Sequence, residues 1–145
     1  MKFKLRKFRK GDEESLRKNI NNKNIAKYTL EIPYPYKNKD AKFWVKHNLK
    51  LNKKKKPEQI NFVIDIDGEV AGSIGFNKIN WKHKHAEVGY WLAKKYWNKG
   101  IVTKALKQIV KYGFNKLGFV RIYAYVFSLN KASQRVAQKT GFKLE

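Results

Sequence analysis

Glu87-Val88-Gly89-Tyr90-Trp91-Leu92, the turn from Lys94 to Gly100, and Ile101-Val102-Thr103-Lys104-Ala105 together decide the fold. From Lys84 to Leu92 polar and apolar residues alternate. Ala86, Val88, Tyr90 and Leu92 point one way while Glu87, Gly89 and Trp91 point the other, which is the period of a strand. At Ile101 the period lengthens: Ile101, Val102, Ala105, Leu106, Ile109, Val110, Phe114 and Leu117 recur at helical spacing, and Gly118 is placed to stop the helix. Val120 to Phe127 is β-prone again, so the segment is a βαβ unit with an expected right-handed crossover. Gly89 marks the place where a bulge or a close backbone approach is easiest to accommodate.

Outward from this unit, Gln59 to Ile66 and Val70 to Ile79 read as a hairpin closed at Asp67-Gly68, a pair that supplies the positive φ angles of a tight turn. Lys2 to Phe8 alternates like an edge strand, and Gly11-Asp12-Glu13-Glu14 supplies a cap and first-turn acids for a short helix. Ile32-Pro33-Tyr34-Pro35-Tyr36 breaks that helix. Asn38 or Asp40 then caps a second one carrying Ala41, Phe43, Trp44, Val45, His47 and Leu51, which ends at the Lys53 to Lys56 run. A last helix is expected from Lys131 to Thr140, capped by Asn130 and stopped by Gly141.

The 145 residues fit one domain, 1–145, and 42% hydrophobic content can fill one core. The absence of cysteine excludes disulfides and thiolate chemistry, and no apolar run approaches the roughly 20 residues of a membrane span. The start Met1-Lys2-Phe3-Lys4 lacks the apolar region of a signal peptide, so a soluble, cytoplasmic protein is expected. The formal net charge of +23 predicts attraction to polyanions such as RNA, although a lysine- and asparagine-rich composition alone produces the same number. After Glu69 the only carboxylate side chains are Glu87 and Glu145, so carboxylate chemistry in this half has one internal candidate.

A strand that feeds a short glycine-containing loop opening a helix presents unpaired N–H groups at the positive end of a helix dipole, which suits a phosphate. Gly100 permits close approach, Lys99 and Lys104 add positive potential, and Thr103 offers a hydroxyl. Taken alone, a glycine before a helix also fits an ordinary turn. The order here is neither the P-loop nor the dinucleotide fingerprint.

The combination of Glu87 to Leu92, Tyr96-Trp97-Asn98-Lys99-Gly100-Ile101-Val102-Thr103-Lys104-Ala105, Asn130-Lys131-Ala132-Ser133 and Gly141-Phe142 resembles the GNAT acetyltransferases, and specifically their RimJ/RimL-like branch of ribosomal-protein N-terminal acetyltransferases. The resemblance is clearest from Phe62 to Phe142. It implies an α/β (α+β) fold: a mixed central sheet with helices on both faces, whose parallel strands splay to admit acetyl-CoA. Family members generally continue beyond Gly141-Phe142 through a further strand that these 145 residues do not include, which fits a shortened sequence, a partner that supplies the strand, or a degenerate enzyme with an exposed sheet edge.

The resemblance also implies roles. The turn Trp97 to Thr103 holds the pyrophosphate, chiefly through backbone amides of Asn98, Lys99, Gly100, Ile101, Val102 and Thr103. The backbone of Tyr90, Trp91 and Leu92 binds the pantetheine arm, which Asn130 contacts from the next strand's end, beside Lys131 and Ser133. Glu87 is the general base, Ser133 stabilises the leaving thiolate, and the Leu92 N–H polarises the acetyl carbonyl. Asn98, Val102 and Lys104 depart from the usual glycine, small residue and glutamate; Asn98 tolerates a left-handed backbone better than most residues. Ala137 stands where many relatives carry a tyrosine acid.

Alternatives stay open at each position. Glu87 equally fits a strand carboxylate paired with a neighbouring lysine, Ser133 a first-turn helix residue, and Tyr123 and Tyr125 simple packing. His83 and His85 lack the further ligands of a zinc site, and no metal is expected. Trp44, Trp81, Trp91 and Trp97 read as packing or groove residues. The acceptor expected is a primary amine, first a protein α-amine on a ribosomal protein, then a small-molecule amine. A scaffold that has lost catalysis and binds nucleic acid or ribosomes is the competing class, and a homodimer fits the family as well as a monomer.

Overall fold

The structure, a computed structural model, describes residues 2–27, 32–124, 135–138 and 140–143. Its centre is a mixed sheet in the order β1 (Lys4–Lys7), β2 (Ile60–Ile66), β3 (Glu69–Asn80), β4 (His85–Leu92) and β5 (Arg121–Ala124). The first four strands pair antiparallel, and β4 pairs parallel with β5. The connections are α1 (Glu13–Ile20), the short α2 (Lys23–Lys27), α3 (Asn38–Leu51) and, between the parallel strands, α4 (Ile101–Asn115).

The alternation in β4 sorts the two cores. Ala86, Val88 and Leu92 join Ile74 and Phe76 of β3 against Ile101, Ala105, Leu106 and Ile109 of α4. Trp91 turns to the opposite face with Val63 and Val70, under Leu16 and Ile20 of α1, Ile25 of α2 and Ala41 and Val45 of α3. Helices therefore cover both faces, as the family resemblance implies. The Asp67-Gly68 turn has φ of 55° and 84°, as a type I′ hairpin requires, and the Gly68 N–H donates to Asp65 Oδ1 at 2.8 Å.

Several local expectations shift for physical reasons. In the β3–β4 pair the bulge lies not at Gly89 but farther along β3, opposite Glu87 and His85: Asn77 pairs with Glu87 and Asn80 with His85, and Lys78 absorbs the extra residue at φ 49°. Gly89 instead pairs directly with Gly75. Phe114 is 43% exposed because Gly113 takes the core-facing position of α4. A Cβ on Gly113 would lie 2.7 Å from Phe76 Cζ and 2.8 Å from Ile122 Cδ1, so only glycine lets the helix lie so close to the sheet. Val120 is exposed, and β5 begins at Arg121.

The expected caps also differ. Asp12 precedes α1 but its carboxylate accepts from the Arg6 guanidinium at 2.9 and 3.0 Å and from the Arg9 N–H at 2.9 Å. Arg6 Nε donates to Asp65 Oδ2 at 2.6 Å, tying β1, β2 and the start of α1 in one ion network. Burial alone would raise the Asp65 carboxyl, but the bonds from Arg6 and the Gly68 N–H hold it below its ordinary value. At α3 it is Lys37 that occupies the cap position, with Asp40 Oδ2 accepting the Lys37 N–H at 2.8 Å. Of the last expected helix, 135–138 is helical and Gly141 ends it at φ 94°; Lys131 and Ser133 lie outside the described residues, as does Asn130.

Candidate active site

After Leu92 the chain leaves the sheet through a 3-10 turn at Lys94–Tyr96, and the Trp97 indole Nε1 donates back to the Leu92 carbonyl at 2.7 Å. That bond folds the loop against the end of β4. Asn98 then adopts φ 62° and Gly100 φ 75°, so the left-handed geometry expected of Asn98 is the geometry it has. Nothing lies within 4 Å of a Cβ placed on Gly100; its backbone angle, not crowding, calls for glycine. The first helical bond onto the loop runs from Lys104 N–H to the Gly100 carbonyl, which leaves the amides of Ile101, Val102 and Thr103 ahead of any intrahelical acceptor. Ile101 is buried and Val102 packs half-buried on the α4-side core, whereas Lys99 and Lys104 are exposed.

The flank of β4 beside this loop has a definite polarity. The Ala93 N–H donates to the Ala71 carbonyl, and antiparallel pairs alternate, so Trp91 directs its backbone groups to Ser73 of β3. Tyr90 and Leu92 direct theirs to the β5 side. Described parallel pairing with β5 runs from His85↔Arg121 to Val88↔Ala124, the last described residue of β5. Of the three residues expected to bind the pantetheine arm, Tyr90 and Leu92 turn their backbone groups away from β3, whereas Trp91 turns its own toward β3 and buries its ring on the α1–α3 side.

Glu87 projects to the α1–α3 side and keeps 13% side-chain exposure. Its carboxylate lies 3.4 Å from Lys78 Nζ, a lysine 72% exposed, so the pairing with a neighbouring lysine is present in the structure. Asn77 faces it from β3 and Tyr123 from β5. Tyr123 is half-buried, with its ring 6.3 Å from that of His85 and under the Arg121 guanidinium. His83 and His85 stack 6.3 Å apart, and the described residues hold no group of three potential metal ligands. Tyr125, like Ser133, falls outside the described residues.

Two features escaped the sequence reading. The Arg6–Asp12–Asp65 network joins residues far apart in sequence, and no local pattern announces it. A groove of about 340 Å³ between α1 and α3 is lined by Glu13, Glu14, Arg17, Asn38 and Lys42. Both signs of charge line it.

A mixed sheet whose parallel strands β4 and β5 are joined through a left-handed loop and α4 sets a helix N-terminus beside the end of β4. The acetyltransferase (GNAT) domain family matches residues 2–143, and the chain belongs to that family. It is 29% identical to the spermidine N(1)-acetyltransferase of Escherichia coli over 98% of this chain and 73% of that protein. It is 34% identical to the ribosomal-protein-serine acetyltransferase of the same organism, over 58% of this chain and 47% of that protein. An uncharacterized N-acetyltransferase of Bacillus subtilis, YoaA, is 42% identical over 53% of this chain, which spans only 44% of that relative. Among solved structures, RimL, the ribosomal L7/L12 α-N-protein acetyltransferase in complex with coenzyme A, has a TM-score of 0.88 at 23% identity, covering 99% of this chain and 81% of its own. The microcin C7 self-immunity acetyltransferase MccE in complex with acetyl-CoA and AMP has a TM-score of 0.85 at 25% identity, covering 99% and 79%.

Proposed function

We propose that this protein transfers the acetyl group of acetyl-CoA to a primary amine by direct attack in a ternary complex, with a protein α-amine as its principal acceptor. The observation that carries this reading is the loop joining β4 to α4, in which Asn98 and Gly100 are left-handed and the amides of Ile101, Val102 and Thr103 precede the first intrahelical acceptor. Amides of residues 98–103 suit the cofactor's pyrophosphate, and the Leu92 N–H, turned to the β5 side of β4, suits the acetyl carbonyl oxygen. The amine lone pair attacks the thioester carbon, the C–S bond breaks, Glu87 takes the amine proton directly or through a water, and Ser133 donates to the developing thiolate. Asn130 and Lys131 complete the pantetheine side. No covalent enzyme intermediate is needed, because positioning supplies much of the rate.

The charge balance favours an α-amine. With a reference pKa near 7.7 to 8.0, an α-amine is partly neutral at neutral pH, whereas a lysine-like amine near 10.4 is not. A polyamine also approaches a protein of net charge +23 against its field. Asp12 offers a polyamine little, since it is buried on Arg6, and Glu13 Oε1 already accepts the Gly11 N–H. The second reading, a polyamine acceptor, is favoured by the spermidine acetyltransferase relative that matches 98% of this chain. A ribosome-bound substrate in the cytoplasm fits the basic surface, since RNA supplies the attraction.

Calorimetry with acetyl-CoA, followed by thiol release across a panel of N-terminal peptides and polyamines, tests the reading. Absence of acetyl-CoA binding refutes it; binding without thiol release favours a nucleic-acid-binding scaffold. Glu87→Gln is expected to cut turnover by about 10²-fold or more with acetyl-CoA affinity unchanged. Equal loss of both would make Glu87 a structural partner of Lys78.

A further inference from the structure

Helix α3 buries Ala41, Val45, Asn48 and Leu51 and turns its other side outward. At about 100° per residue, Lys39, Phe43, Lys46, His47 and Lys50 fall on that side within roughly 100° of arc. Phe43 is 67% exposed and joins neither core cluster. Its ring lies flat on the His47 imidazole, with centroids 5.7 Å and planes 7° apart, and Trp44 flanks the same imidazole at 5.6 Å. A single exposed ring needs no explanation; a ring stacked and held within a row of cations does.

The charge of that row is uncompensated. Among the described residues, Lys39, Lys46 and Lys50 take part in no ion pair. Asp40 accepts the Lys37 N–H at 2.8 Å, and Glu58, beyond the helix end, is held by Lys54 at 2.8 Å. Lys46 and Lys50 stand one turn apart, a like-charge spacing that works against the helix. From Lys39 to Lys50 the row is about 16 Å long at 1.5 Å per residue, and it leads into the exposed run of Lys53, Lys54, Lys55 and Lys56. In sequence that run carries charge alone; the folded helix adds an aromatic platform beside it.

Cations with an interleaved open ring match the two parts of a single-stranded nucleotide chain, phosphates for the lysines and an unpaired base for the ring. A duplex keeps its bases closed and uses only the charge. A second copy of this chain would set the same lysines against each other. The apolar residues of α3 are consumed in the core, so no apolar stripe is left to enter a membrane. We propose that the outer face of α3 docks an unpaired segment of RNA, with Phe43 and His47 stacking a base and Lys39, Lys46 and Lys50 meeting phosphates. Loops and bulges of folded RNA present such splayed bases. The surface gives the attraction of a +23 protein for RNA a location, and it stands independently of the acetyl-transfer reading.

The test is fluorescence anisotropy of the full chain over a salt series, with a single-stranded RNA of roughly 12 nucleotides as probe. Its duplex, single-stranded DNA of the same sequence and phosphatidylserine vesicles are the comparisons. Phe43→Ala is expected to weaken RNA binding about tenfold without changing the slope of log affinity against log salt, because stacking releases no counterions. Phe43→Tyr, which keeps a ring, retains the affinity. Lys46→Gln combined with Lys50→Gln is expected to make the slope shallower by about 1.4, near 0.7 for each phosphate contact. The charge-matched pair Lys107→Gln with Lys111→Gln, on the exposed face of α4, is expected to leave the slope within about 0.4 of wild type. Equal effects of the α3 and α4 pairs overturn the proposal, since net charge alone would then explain binding, and so does unchanged affinity in Phe43→Ala. Tighter binding of the duplex, the DNA or the vesicles than of the single-stranded RNA also overturns it. RNA binding that depends on Phe43 without any thiol release from acetyl-CoA leaves the surface standing and refutes the transfer reading; thiol release on a short peptide without RNA binding does the reverse.

Discussion

On the α4 side of the sheet, Ile74, Phe76, Val88 and Leu92 are at most 5% exposed and meet only apolar partners from the helix. On the α1–α3 side the same two strands present Ser73, Gly75, Asn77, Glu87 and Gly89, with Trp91 and Val70 sealing one end. One residue of register separates the two sets, so β3 and β4 carry stability on one parity and polar chemistry on the other. The polar parity is affordable because the dry face is complete. The difference predicts that substitutions on the two parities will separate into losses of folding and losses of activity.

Phe76 is the sharpest test of the dry face. Its ring is fully buried, meets Phe119 edge-on at 5.2 Å and lies under Gly113 of α4. Phe76→Ala is expected to cost about 3–5 kcal/mol in urea or thermal unfolding. A cost under about 1.5 kcal/mol would mean that α4 does not rely on this contact, and the division between faces would lose its basis.

The other side has its own anchor, made of charge. Arg6 keeps 12% exposure while Asp12 and Asp65 keep 4% and 3%, so Arg6→Met leaves two buried carboxylates without their cation. The expected loss is about 3 kcal/mol near neutral pH. Because the folded Asp65 carboxyl is held below its ordinary 3.8, its contribution is complete above that value and disappears as pH falls through the folded one. The stability gap between wild type and Arg6→Met is therefore expected to be level from about pH 5 to 8 and to shrink below about pH 4. A gap that widens on acidification would reverse the assigned sign.

Strand period, the Asp67-Gly68 hairpin and the period change at Ile101 were legible because each is a local pattern of side-chain burial or backbone angle. The loop before α4 was legible for the same reason: Asn98 and Gly100 advertise positive φ by residue type. What stayed hidden depends on partners distant in sequence. Asp12 looks like a helix cap until Arg6 claims it, and Phe114 looks like a core residue until Gly113 takes the contact with Phe76 and Ile122. Asn77 carries no sequence signal; only the β3–β4 register brings it to Glu87.

The smallest expected effect distinguishes the two left-handed residues of the loop from each other. Gly100→Ala forces a Cβ into φ 75° although no atom crowds it, so the cost is conformational alone, about 1 kcal/mol in unfolding experiments. The variant would relieve that strain by rotating the amides that precede α4, which predicts weaker acetyl-CoA binding. Asn98→Gly works the opposite way: it removes the strain of a side chain at φ 62° but frees the unfolded chain, and the two terms offset to within about 0.5 kcal/mol. Acetyl-CoA affinity should then survive in Asn98→Gly and fall in Gly100→Ala. If both substitutions leave it unchanged, the amides of this loop do not hold the pyrophosphate, and the chemistry assigned to the β4 side must be rebuilt without it.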